Sequence, residues 1–237
     1  MGVSRAPIAV ALDAPDLATL GAWAGAVAPY VSTLKVGLET YVRDGRRAVE
    51  AARAAAPGCA LFLDLKLHDI PATVSGAARA LADLTPDFLT VHASGGPAMV
   101  AAAADALPET RIVAVTVLTS LTTQDLRDLD LLGPGVASAG ELAVRLAVAA
   151  VDAGARAVVC SAEEVGEVRA ALEGRDVILI TPGVRPAGSD VGDQRRVATP
   201  REAVERGADL LVIGRPITGA ADVSAAAAAI ARDLGYG

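Results

Sequence analysis

Apolar residues gather in short β-branched or leucine-rich runs along the chain, and alanine-rich stretches of helical character alternate with them from one end to the other. The runs predict eight strands, at residues 8–13, 33–37, 60–66, 88–92, 112–118, 157–160, 177–181 and 210–213. The intervening stretches predict helices at 17–27, 43–55, 72–84, 98–106, 141–153, 163–172, 201–205 and 223–234. Strand and helix alternating eight times implies a parallel sheet closed into a (β/α)8 TIM barrel. A doubly wound open sheet is the competing fold, but it would place a glycine fingerprint after the first strand, where Asp13-Ala14-Pro15-Asp16 stands. The alanine runs at 101–104 and 225–229 fall at helix positions and read as outer helices rather than low complexity. Two long stretches, 119–140 and 182–200, show neither pattern. Both follow strands at the barrel end where active sites form, so they are expected as structureless lids or binding loops.

A chain of 237 residues suits one barrel domain spanning 1–237. Apolar residues make up 53% of it, yet no uninterrupted run approaches the ~18 residues of a membrane helix. The first apolar run is too short for a secretory signal and ends on Asp13, which points to a cytoplasmic protein with no membrane partner. Cys59 and Cys160 lack metal-site spacing and are expected as buried thiols. A net charge of −7 and only three Tyr, two Phe and one Trp argue against nucleic acid as a partner. An acidic chain binds an anion only where its basic groups converge locally, so clustered Lys and Arg outweigh net charge.

The third strand carries such a cluster. Side chains alternate faces along a strand, which separates Leu61, Leu63, Leu65 and Leu67 from Phe62, Asp64, Lys66 and His68. The leucine face suits the helix layer, so the charged face points into the barrel near its active end. Charge there is unfavourable unless paired. One Asp64–Lys66 ion pair plugging the barrel mouth would satisfy that rule, but Lys35 also faces inward, between the small residues Thr33 and Gly37, and Asp13 ends the first strand. Four charges from three neighbouring strands form a constellation suited to catalysis. Asp69 lies just beyond, before Ile70-Pro71, where either helix capping or a site role is open to it; Thr73 faces the same choice between a local cap and a ligand contact. His68 and His92, on different strands with no third ligand, read as structural histidines.

The segment Asp64-Leu65-Lys66-Leu67-His68-Asp69-Ile70-Pro71 resembles the signature of the orotidine 5'-phosphate decarboxylase family. The resemblance extends over nearly the whole chain through Leu12-Asp13, Lys35-Val36-Gly37, Leu118-Thr119-Ser120, Thr181-Pro182-Gly183-Val184-Arg185-Pro186, Asp193-Gln194-Arg195-Arg196 and Ile213-Gly214-Arg215-Pro216. It implies decarboxylation of orotidine 5'-monophosphate to UMP and CO2, the last step of de novo pyrimidine nucleotide synthesis, with no metal and no organic cofactor. It also implies roles. Lys66 donates the proton to C6, Asp64 and Asp69 flank the departing carboxylate, and Lys35 completes a Lys-Asp-Lys-Asp array. Asp13 and Lys35 contact the ribose hydroxyls, and one of Thr119 and Ser120 reads the pyrimidine edge, Thr119 by register. Gln194 bridges phosphate and pyrimidine with Arg185 assisting, and Gly183, Gly188 and Gly192 are candidate hinges in their loop. Gly214 and Arg215 hold the phosphate, at the barrel end where phosphates commonly bind. Asp69 and Thr73 are expected to reach the active site of a partner subunit, so a homodimer with shared sites follows.

Two other readings share parts of this pattern. A metal-dependent sugar-phosphate decarboxylase or aldolase would also carry Asp-x-Lys-x-x-Asp, but Gln194, Thr119 and Pro71 argue against it. A nucleotide sensor on a barrel would need the phosphate site but not Lys35, Asp64, Lys66 and Asp69 together.

Overall fold

A computed structural model describes residues 5–186 and 198–236. Strands β1 (Ala6–Ala11), β2 (Val31–Gly37), β3 (Ala60–Leu67), β4 (Phe88–His92), β5 (Arg111–Val115), β6 (Ala157–Val159), β7 (Ile178–Thr181) and β8 (Leu210–Ile213) close into a barrel in chain order. All pairs are parallel, and β8 returns to β1. The predicted TIM barrel is the observed fold.

Strand alternation explains its two apolar layers. Ala9, Phe62, Phe88, Val113, Ala157, Ile180 and Leu210 fill the interior, with the Phe62 and Phe88 ring centroids 5.6 Å apart. Their neighbours Ile8, Val10, Leu61, Leu63, Leu89, Val91, Leu179 and Leu211 join the core shared with the helices. The N-terminal rim is tied by carboxylates placed just before strands. Asp87 accepts a bond from Leu61 N at 2.7 Å, and Asp209 accepts one from Leu179 N at 2.7 Å. Arg53 and Arg169 donate to the Thr85 and Gly207 carbonyls beside them, at 2.7 and 2.9 Å.

Helices α1 (Leu17–Val27), α2 (Leu38–Asp44), α3 (Arg46–Ala55), α4 (Pro71–Ala80), α5 (Pro97–Ala106), α6 (Thr123–Asp128), α7 (Ala139–Asp152), α8 (Val165–Ala171), α9 (Pro200–Glu205), α10 (Arg215–Thr218) and α11 (Val223–Asp233) pack outside or cap the ends. Among the described residues no helix is long and apolar enough to cross a membrane. The helix expected at 43–55 is two helices, because Gly45 adopts φ +59° and breaks the ladder between α2 and α3.

The expectation of a structureless 119–140 loop is corrected more substantially. Thr122 and Asp125 form a reciprocal capping box that starts α6, and Ser138 caps α7. Val117, Leu126, Ala139 and Ala143 then pack as a small core of their own. Of the 182–200 stretch, both stems are tied. Val184 and Ala198 form a parallel bridge, Arg185 N donates to Ala198 O at 2.9 Å, and a second capping box at Thr199 starts α9. Gln194, Gly188 and Gly192, with the neighbouring Arg195 and Arg196, lie outside the described residues.

Candidate active site

The inward charges of β2 and β3 meet at the C-terminal mouth of the barrel. Lys35 is 7% exposed, and its Nζ lies 3.1 Å from Asp64 Oδ2. Lys66 Nζ lies 2.7 Å from the other oxygen, Asp64 Oδ1. The carboxylate is therefore bracketed by two ammonium groups. Burial pushes the Asp64 carboxyl up, but Lys35 and Lys66 outweigh that effect and hold it below the usual carboxylate range. Gly37 makes the packing possible: a Cβ there would stand 2.9 Å from both Asp13 Oδ1 and Lys35 Nζ. The small neighbour of Lys35 thus leaves room for two site residues, and it also brings Asp13 to the same corner.

Lys66 is held in an unusual conformation. Its φ is +49°, in the left-handed region, at a point where the β3–β4 register shifts between Leu63 and Leu67. Thr90, on the inner face of β4 and fully buried, accepts a bond from Lys66 N at 2.8 Å and donates to Asp64 Oδ1 at 3.1 Å. No charge or motif singles Thr90 out in the sequence; the available signal is strand alternation, which sets it on the same face as Phe88.

Asp69 stands at the exposed rim, where its Oδ1 accepts a bond from Ile70 N at 2.6 Å. The N-cap of α4 is Ile70, with no side-chain cap bond, so the capping role open to Asp69 is not the one it plays. Thr73 is exposed in the first turn of α4. The structure therefore joins Lys35, Asp64 and Lys66 directly and leaves Asp69 outside that cluster, at the exposed rim. His68 is exposed and pairs with His92 at a ring-centroid distance of 5.2 Å. Burial, then His68 and Lys66, push the His92 imidazole below its ordinary range. Among the described residues no group of three or more His, Cys, Asp or Glu is placed to hold a metal ion.

The remaining candidates follow β5, β7 and β8 at the same end of the barrel. Thr119 is half-buried and Ser120 exposed after Leu118. Arg185 is 9% exposed, and one guanidinium nitrogen donates to Val184 O at 3.0 Å. Gly214 is the N-cap of α10, packed so that a Cβ would meet Ala11 Cβ at 3.4 Å, and Arg215 opens that helix with an exposed side chain. Cys160 is buried as expected, while Cys59 is only half-buried; burial pushes both thiols up.

Residues 6–230 match the model of the orotidine 5'-phosphate decarboxylase / HUMPS family. Orotidine 5'-phosphate decarboxylase of Thermobifida fusca is 65% identical over 229 residues, covering 97% of this chain and 96% of that protein. The enzyme of Frankia casuarinae is 54% identical over 97% of this chain and 88% of its own. The crystal structure of orotidine 5'-phosphate decarboxylase from Lactobacillus acidophilus superposes with a TM-score of 0.79 at 35% identity, covering 98% of this chain and 99% of that one. The chain belongs to the orotidine 5'-phosphate decarboxylase family. It is accordingly an enzyme of the carboxy-lyase class. Asp64 and Lys66, which strand alternation sets on the inward face of β3, are the residues that meet Lys35 there.

Proposed function

We propose that the chain converts orotidine 5'-monophosphate to UMP and CO2 as one catalytic domain in the cytoplasm, without metal or organic cofactor, and that Lys66 delivers the proton to C6. The observation carrying this reading is the Asp64 carboxylate held between Lys35 Nζ at 3.1 Å and Lys66 Nζ at 2.7 Å. A substrate carboxylate placed ~4 Å from Asp64 is repelled by ~4 kcal/mol at an effective dielectric of 20, and an ammonium recovers a similar amount. When the C6–carboxylate bond breaks, neutral CO2 departs and the electron pair stays on C6 beside the Lys66 ammonium. A proton then passes from Nζ to C6, and solvent reprotonates the amine. The array favours the charge distribution that develops along this path over the starting one, which is the condition for catalysis.

Asp69 completes the repulsive pair, and it does so from the neighbouring subunit of a homodimer, with Thr73 beside it. Their exposed position supports this, as do the apolar Ile70 (66% exposed), Val42 (80%) and Leu38 (48%) on the elements that follow β2 and β3. Asp13 and Lys35 take the ribose hydroxyls, Thr119 rather than Ser120 the pyrimidine edge, and Gly214 and Arg215 the phosphate, with Gln194 between phosphate and pyrimidine and Arg185 assisting. Arginine offers phosphate a planar fork, and glycine lets backbone approach closely. Turnover of substrate labelled with 13C in the carboxyl group, run in D2O, tests the reading. Labelled CO2 and UMP carrying deuterium at C6 are expected. Unchanged substrate, or product without deuterium at C6, contradicts it.

A further inference from the structure

We infer that Thr90 is the positioning residue of the reacting array, setting the Lys66 backbone and the Asp64 carboxylate in register through one buried hydroxyl. The inference rests on the decarboxylase reading above for its kinetic consequence, but its geometry is independent of the substrate. Thr90 Oγ1 accepts from Lys66 N at 2.8 Å and donates to Asp64 Oδ1 at 3.1 Å, the oxygen that also receives Lys66 Nζ at 2.7 Å. Hydroxyl, carboxylate oxygen, ammonium and main-chain N–H therefore close a ring that contains both the backbone and the side chain of Lys66.

The ring acts where the chain needs restraint. A non-glycine residue in the left-handed region is strained and persists only where its surroundings over-determine it. At Lys66 the ordinary β3–β4 ladder is interrupted between Leu63 and Leu67, and the hydroxyl of Thr90 stands in as the partner of the Lys66 N–H. Thr90 itself is fully buried, and its β4 neighbours Leu89 and Val91 pack in the helix-facing core. The hydroxyl has one proton to donate, and Asp64 Oδ1 takes it. Threonine has the size to fill this inner-face position and, unlike valine, the oxygen to act as donor and acceptor together.

The test compares Thr90→Val, which keeps the shape and removes both bonds, with Thr90→Ser, which keeps both. Steady-state decarboxylation of orotidine 5'-monophosphate and UMP affinity are measured well below the thermal midpoint of each variant. Thr90→Val is expected to lower kcat by about 10–100-fold, the scale of a misplaced reacting group, with KM and UMP affinity within about threefold and Thr90→Ser close to wild type. Wild-type kcat in Thr90→Val, or equal impairment of Thr90→Ser, overturns the inference. Thr90→Ala supplies the same comparison if the valine variant does not fold. A wild-type protein with no activity on this substrate would defeat the functional reading instead. In that event crystal structures decide: Lys66 leaving its left-handed conformation in Thr90→Val supports the positioning role, and a retained φ near +49° with Nζ still 2.7 Å from Asp64 rejects it.

Discussion

At Asp64 the competition between burial and pairing has a definite winner. Two ammonium groups hold its folded-state carboxyl below the ordinary range, so the ionised form stabilises the fold at neutral pH. With the folded value depressed, that contribution is fully present above the unfolded value, about pH 4. It is lost as the pH falls through the folded value. Urea midpoints of wild type and Asp64→Asn are therefore expected to converge or cross as the pH is lowered from about 5 to 3; a constant difference across that window would count against the pairing. Lys66 sits on the other side of the same bond. Its removal leaves Asp64 still paired with Lys35 and the residues proposed to hold the phosphate unchanged. Lys66→Ala is expected to lower kcat by about 10³-fold or more while UMP still binds, the scale of a lost proton donor. Turnover within tenfold of wild type would remove Lys66 from proton delivery.

Between elements, the barrel separates a stabilising end from a reacting end. Asp87 lies at the N-terminal rim, where its carboxylate accepts from Leu61 N, the first outward leucine of β3. Asp87→Ala leaves that N–H without its partner and is expected to cost about 1–3 kcal/mol. The thermal midpoint should fall by about 2–4 °C per kcal/mol, with kcat unchanged. A large kcat loss at full stability would show that the two ends are not separable. Leucines alternating with Phe62, Asp64 and Lys66 made the inner face of β3 legible, because a period of two and buried charge are both written locally. His68, expected on the same face, lies past the strand end at Leu67 and is exposed, beyond the left-handed Lys66 that breaks the alternation. Helix α6 was signalled by Thr122 and Asp125 at capping-box spacing, but its six residues are too few to establish an apolar period. Thr90 left no such mark: its role depends on the left-handed backbone of Lys66, and alternation rules assume regular strands. Helix capping at Asp69 and Ile70 differs by one residue, which local sequence preference does not resolve.

Across the whole molecule, the motif from Asp64 to Asp69 divides between two directions. Asp64 and Lys66 face into their own barrel, whereas Asp69 lies at the rim beside exposed Ile70. If Asp69 completes a neighbouring site, Asp69→Ala and Lys66→Ala chains should complement each other. A heterodimer of the two is expected to recover one intact site and about a quarter to a half of wild-type turnover, depending on the fraction of mixed species. Purified heterodimers with no more activity than either parent would confine Asp69 to its own subunit. The distant residues matter equally at this scale, since Arg185, Gly214 and Arg215 reach the same barrel end only because eight strands close in chain order.

The charge array of Lys35, Asp64 and Lys66 is proposed to drive loss of CO2 from orotidine 5'-monophosphate without a metal ion. The most direct measurement is the ultraviolet absorbance change of that substrate with enzyme before and after exhaustive chelation of divalent metal. Turnover at the same rate is expected in both samples, as metal-free decarboxylation requires. Turnover that disappears on chelation and returns with added metal would contradict it.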